Sequence, residues 1–174
     1  MRTILLATSC LILAGAAPAA AEQLKIIVST IDNTGIGGSI GTITFSDTKD
    51  GLKIEPQLTG LKTGPHGFHI HAKPDCFTAD QDGKPVAGLA AGGHFDPGKT
   101  GRHLGPDGDG HKGDLPVLVA DDKGEAKAVL MAPHLKVADL LEHSVMIHKF
   151  GDNFMDAPEP GGGGGPRVAC GVLR

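Results

Sequence analysis

Apolar and polar residues alternate with period two, or run as short β-branched stretches, at 24–31, 39–46, 51–59, 66–72, 115–120, 125–132, 143–150 and 168–173. Such alternation gives a strand one face for a core and one for solvent or a covering loop. Turn signals separate the stretches: Asp32-Asn33-Thr34-Gly35, Asp47-Thr48-Lys49-Asp50-Gly51 and Asp121-Asp122-Lys123-Gly124 read as hairpin connections. With 27 glycines and 12 prolines in 174 residues a helical bundle is disfavoured, and one short helical patch stands out, at 136–141. The expected fold is all-β, an antiparallel barrel or sandwich of Greek-key type with eight strands. The length suits one domain, and without Trp or Tyr the core has to be aliphatic.

Residues 1–21 stand apart. Met1-Arg2 precede an apolar run at 4–17, too short to span a bilayer, which ends in the small residues Ala17-Pro18-Ala19 and Ala19-Ala20-Ala21. This is the pattern of a secretory signal peptide at 1–21, cleaved after Ala21, leaving a single domain at 22–174 with no membrane attachment. Cleavage removes Cys10 and leaves Cys76 and Cys170, which an exported protein most simply joins. A formal charge of −4 and the lack of a basic run give nucleic-acid binding no support.

All nine histidines lie between His66 and His148, a clustering that points to metal. In Gly67-Phe68-His69-Ile70-His71, strand geometry turns Phe68 and Ile70 to the core and His69 and His71 to the other face. The same parity in Val145-Met146-Ile147-His148 turns His148 outward. These three form a metal platform if their strands are neighbours, and the long segments 73–114 and 151–166 are available to cover it. The first segment carries a second group, His94, His103, His111 and Asp114, spaced nine, eight and three residues apart. Three imidazoles and a carboxylate suit zinc, whereas all-imidazole coordination suits copper as well as zinc. His66, His134 and His143 belong to neither group and are read as non-ligands, with His134 capping the helical patch.

Five blocks carry a family resemblance: Gly67-Phe68-His69-Ile70-His71, Gly92-Gly93-His94-Phe95-Asp96-Pro97, His111-Lys112-Gly113-Asp114-Leu115-Pro116, Met146-Ile147-His148, and Gly163-Gly164-Gly165-Pro166-Arg167-Val168-Ala169-Cys170-Gly171-Val172. In this order and spacing they resemble the signature blocks of copper/zinc superoxide dismutases, in their bacterial exported form. The resemblance implies an eight-stranded Greek-key barrel in the periplasm that dismutates superoxide with one copper and one zinc ion. It implies copper on His69, His71, His94 and His148, and zinc on His94, His103, His111 and Asp114, with His94 as the shared bridge. Spacing alone assigns His94 to the loop group and does not find the sharing. The resemblance further implies a disulfide between Cys76 and Cys170, an arginine beside the copper at Arg167, and a carboxylate at Asp152 that hydrogen-bonds one histidine of each metal.

The chain departs from some relatives in that 151–166 carries Asp152, Asp156 and Glu159 but no Lys or Arg. Substrate guidance therefore falls to Lys73, Lys84, Lys99, Lys112 or Lys149. The lack of Trp and Tyr removes the aromatic contacts that dimeric relatives use, so a homodimer and a monomer both remain compatible with the sequence. Two other functions fit the barrel: copper delivery or buffering, and a structural adhesion module with incidental histidines.

Overall fold

The computed structural model describes residues 22–174; the expected signal peptide, with Cys10, lies outside the described residues. Strands β1 (Gln23–Asp32), β2 (Gly35–Thr48) and β3 (Gly51–Leu58) form an antiparallel meander, followed by β4 (Gly64–His66) and β5 (Phe68–His71). After them come β6 (Ala79–Gln81), β7 (Lys84–Val86), β8 (Leu118–Ala120), β9 (Leu130–Ala132), β10 (His143–His148) and β11 (Arg167–Leu173). Seven strands make one antiparallel sheet in the order β5-β10-β11-β1-β2-β3-β9, while β4 pairs with β8. The chain passes from β3 near one end of this order to β5 at the other, the long return of a Greek key.

All eight expected stretches contain strand. The stretch 66–72 divides at Gly67 into β4, which pairs with β8, and β5, which pairs with β10. Two others are shorter than the alternation suggests, and proline accounts for one of them. Leu58 exchanges backbone hydrogen bonds with Ala126, but two residues earlier the same side of β3 presents Pro56, which has no N–H, so regular pairing resumes only at Ile54 and Leu130. The β6–β7 hairpin was not anticipated. Its turn, Asp82-Gly83, has φ of 55° and 77°, the positive pair that an Asp-Gly type I′ hairpin adopts.

The barrel interior is aliphatic apart from Phe45 and Phe68: Ile26, Val28, Ile43, Leu52, Ile54, Ile70, Val145 and Ile147 are all buried. A second, smaller apolar cluster lies on the other face of β10 and β11, where Ile31, Met146 and Cys170 meet Cys76, Ala87 and Ala91 of the long loop. Cys76 and Cys170 form a disulfide, with Cα atoms 5.8 Å apart, that fastens this loop to β11. The helical patch is a single 3-10 turn, Val137–Leu140. His134 does not cap it: its Nε2 donates to the Lys112 carbonyl at 3.1 Å, and Asp139 Oδ2 takes the Lys136 N–H that opens the turn. A short carboxylate placed inside the turn reaches that N–H, while the His134 ring is engaged elsewhere.

Candidate metal centre

Strands β5 and β10 are neighbours, with Ile70 opposite Val145 and His69 opposite Met146. Phe68 and Ile70 enter the core, so His69 and His71 share the outer face with His148. The long loop joins this platform through its backbone. Phe95 donates to the Ile70 carbonyl and Ile70 to the Gly113 carbonyl, both at 2.8 Å, while Ala72 donates to Gly93 at 3.0 Å. Residues 93–95 and 113–114 thus lie along β5 like added strands, which sets His94 beside His71 and Asp114 beside His69. The loops cover the outer face completely enough that His69, His103 and Asp114 are wholly buried and His148 keeps only 7 % exposure.

Each platform ring is anchored by one nitrogen. His71 Nδ1 donates to the Gly92 carbonyl (2.8 Å), His148 Nδ1 to the Gly165 carbonyl (3.0 Å), and His69 Nε2 to Asp152 Oδ2 (2.6 Å). His103 Nε2 lies 2.8 Å from the other oxygen of Asp152. Such bonds fix each ring's orientation and which nitrogen is free. Six buried side-chain polar atoms among the described residues have no hydrogen-bond partner, and five are histidine ring nitrogens: His69 Nδ1, His71 Nε2, His148 Nε2 and His103 Nδ1, each opposite an anchored nitrogen, and His111 Nδ1. Orphaned buried polar atoms are costly, and five gathered in one place are a set that metal ligation could satisfy.

They converge in two groups. One ligand atom each from His69, His71, His94 and His148 lie within 4.8 Å of one another, and so do those of His94, His103, His111 and Asp114. The first set is all imidazole and fits copper; the second, three imidazoles and a carboxylate, fits zinc. His94 belongs to both. Its Nδ1 lies 3.0 Å from Asp114 Oδ1, which leaves Nε2 for the other group. His66 has both nitrogens on backbone carbonyls, those of His148 (2.6 Å) and Lys62 (2.7 Å), and His143 Nδ1 faces the Ala72 carbonyl (3.0 Å).

Burial pushes the His69 imidazole down to about 3 and that of His148 to about 4, and holds His71 and His94 below the ordinary value as well. These rings are neutral at pH 7, the form that coordinates metal. His103 goes the other way: burial disfavours its charge, but the carboxylates of Asp114 and Asp152 on either side prevail and raise it to about 9. Burial works against ionisation of Asp114 and Asp152 too, yet the neighbouring histidines hold both below the usual carboxylate range.

A cleft of about 350 Å³ leads to this centre, lined by His71, His94, His148, Gly161 and Arg167 among others. Arg167, opposite His148 in the β10–β11 register, donates through Nη1 to the Gly88 carbonyl and through Nη2 to that of Gly92 at 2.7 Å. The glycine run at 161–165 is structural. Gly162 has φ of 79°, and a Cβ there would fall 1.9 Å from Asp152 Oδ1. Asp156 looks in sequence like one more uncompensated acid of its loop, yet its Oδ2 accepts the His103 N–H at 2.9 Å and ties the two long loops together. Of the guidance lysines, Lys112 is engaged by Asp139 at 2.6 Å, and the Lys149 ammonium sits 5.5 Å above the Phe150 ring.

An antiparallel Greek-key barrel with an all-imidazole site beside a zinc-type site, joined at one histidine, defines a two-metal β-barrel protein. Residues 39–173 match the family described as copper/zinc superoxide dismutase. The chain is 46 % identical over 175 residues to the copper-zinc superoxide dismutase of Escherichia coli, with both chains fully covered. Among solved structures it resembles the Cu/Zn superoxide dismutase from Brucella abortus, with 47 % identity, a TM-score of 0.86, and coverage of 88 % of this chain and 100 % of that one. It also resembles the monomeric copper, zinc superoxide dismutase from Salmonella enterica, at 48 % identity, a TM-score of 0.80 and the same coverage. The chain belongs to the copper/zinc superoxide dismutase family, and its activity is the dismutation of superoxide with copper and zinc. The delivery and adhesion readings fall away.

Proposed function

We propose that His69, His71, His94 and His148 hold the copper, that His94, His103, His111 and Asp114 hold the zinc, and that Arg167 binds the superoxide anion. The observation that carries the ligand assignment is the set of five buried ring nitrogens without partners, each on a ring in one of the two groups. Copper held by these histidines would supply the one-electron chemistry by which two superoxide anions and two protons give oxygen and hydrogen peroxide.

The chain's own groups prepare that chemistry. Arg167, fastened by two backbone carbonyls, presents a fixed positive charge at the mouth of the cleft, where a small anion enters. His94 Nε2 borders the same cleft beside Gly161, so whenever this nitrogen is free of copper it would be the ring atom placed to carry a proton to the product. Asp152 accepts from His69 and His103 together, so one carboxylate holds a ring of each set with its free nitrogen turned inward. Gly161 lies against His94, Gly162 against Asp152 and His103, and Gly164 against His148, so the glycine run packs directly on the histidine groups.

The signal-like residues 1–21, the disulfide, and the bacterial relatives support export to the periplasm as a domain of residues 22–174. Intact-mass analysis of the exported protein with elemental analysis and a superoxide-removal assay tests the reading. The expected result is a chain beginning at Glu22, with one copper, one zinc and no free thiol. A chain retaining Cys10, or a His71→Ala protein with undiminished copper, contradicts it.

A further inference from the structure

We propose that Phe154 is a positioning residue for Asp152: a hook on the 151–166 loop, seated against Gly105 of the 73–114 loop, that holds the carboxylate joining His69 to His103.

Phe154 has φ of 57°, the left-handed region that a bulky side chain adopts only where its surroundings impose it. Two contacts do so. Its N–H donates to Asp152 Oδ1 at 2.7 Å, on the same oxygen that faces His103 Nε2 at 2.8 Å. Its ring lies directly on Gly105: a Cβ built there would fall 2.7 Å from the ring Cγ and 2.9 Å from the Phe154 Cβ. A side chain at 105 would therefore evict the ring, and no ring at 154 would leave Gly105 uncovered.

The hook closes a frame around one short segment. The His103 N–H goes to Asp156 at 2.9 Å, the Leu104 N–H goes to Asp114 Oδ2 at 3.2 Å, and Gly105 takes the phenyl ring. Asp156 and Phe154 both come from the 151–166 loop, so this loop grips the 103–105 segment at two points, with Asp152 between the loop and both histidine groups. The 151–166 loop is braced by its own bonds, Asn153 N to Gly162 O and Gly162 N to Met155 O, both at 3.0 Å, so a force on the ring is passed to Asp152 and not lost in a slack chain. His103 Nε2 faces the same Asp152 oxygen that takes the Phe154 N–H, while its Nδ1 lies 2.9 Å from Asp114 Oδ1, so of the two rings on Asp152 it is the one most directly coupled to the hook.

The inference rests on the ligand assignment for its consequence in metal affinity, but the hook itself is visible without metal. Phe154→Gly relieves the backbone strain and removes the ring, whereas Phe154→Leu keeps an apolar side chain on Gly105, which is itself left unaltered because its φ of 73° admits no other residue without strain. In the metal-free full domain, amide hydrogen exchange at 103–105 should speed up at least tenfold in Phe154→Gly and stay near that of the parent in Phe154→Leu. Unchanged exchange in Phe154→Gly overturns the hook. Zinc affinity, read by chelator competition, should fall about tenfold in Phe154→Gly, return in Phe154→Leu, and change less than twofold when Phe154→Gly is placed on Asp152→Asn. Equal losses with and without Asp152 would mean general loosening and would overturn the positioning role. Faster exchange together with a wild-type protein that takes up no zinc would uphold the hook and refute the ligand set instead.

Discussion

Arg167 and His71 hydrogen-bond to the same oxygen, the carbonyl of Gly92, at 2.7 Å from Nη2 and 2.8 Å from Nδ1. The residue proposed to receive the anion and a residue proposed to hold copper therefore share one backbone anchor, and neither can shift far without the other.

Arg167→Ala should retain both metals, because the anchor of His71 survives and a guanidinium is not itself a ligand. A unit charge about 6 Å from the anion at an effective dielectric near 20 is worth about 2 to 3 kcal/mol, and half-burial with solvent screening reduces this. The expected rate is about ten to a hundred times slower, with a weaker dependence on ionic strength. Pulse radiolysis of the fully metallated variant at two salt concentrations measures both, and an unaltered rate and salt dependence would remove Arg167 from the site.

Asp152→Ala should weaken both metal sites at once, by about 10- to 100-fold each, although Asp152 is assigned as a ligand to neither. Its two oxygens reach His69 at 2.6 Å and His103 at 2.8 Å, one ring from each set. Chelator titrations of copper and zinc check this; a loss confined to one metal would show that the carboxylate serves one site alone.

Most of this centre is legible in the sequence, because its strand parts obey a strictly local rule. Period-two alternation sets the side of the sheet for His69, His71 and His148 from their immediate neighbours, and each sits where that rule puts it. Loop residues obey no such rule. The resemblance implied that Asp152 meets one histidine of each metal, but Asp156, 53 residues from its partner His103, looks in sequence like an ordinary acid of a loop. The need for glycine at 162 arises from a carboxylate ten positions earlier in sequence that folds back beneath it. The β6–β7 hairpin carries a local signal in Asp82-Gly83, but its flanking strands are only three residues each and show no clear alternation to support it.

The metal-free protein should be most stable near neutral pH. Burial lowers His69 to about 3 and His148 to about 4, with His71 also well below its ordinary value of 6.5. An unfolded chain takes up these protons as pH falls below about 6.5 and the folded one resists, so stability declines from there toward pH 4. Asp114 and Asp152, held low in the fold, add a further loss at still lower pH. His103 has the opposite sign: raised to about 9, its contribution is complete below about 6.5 and is lost as pH rises through 9. Thermal melting of metal-stripped protein at pH 4.5, 6.8 and 9.5 should give the highest midpoint at 6.8. A midpoint that stays level from 6.8 to 4.5 would contradict the assignment of neutral, buried rings.

Cys76→Ser should destabilise the domain and slow catalysis. The disulfide closes a 94-residue separation, for which loop-closure theory gives about 4 to 5 kcal/mol, and it anchors β11 three residues beyond Arg167. Denaturant unfolding should show a loss of that order, and the rate of the metallated variant should fall toward that of Arg167→Ala. A variant as stable and as fast as the parent would show that the packing of Ile31, Met146 and Ala91 holds the loop unaided.

The central claim is that one imidazole belongs to both metal sites, and the most direct measurement is the metal content of His94→Ala after loading with copper and zinc and dialysis. His94 alone belongs to both four-residue groups, and its Nδ1 lies beside Asp114, which leaves Nε2 for the other three histidines. The account predicts that copper and zinc fall together in this variant, whereas His71→Ala loses mainly copper and His103→Ala mainly zinc. Copper and zinc contents in His94→Ala equal to those of the parent would contradict it.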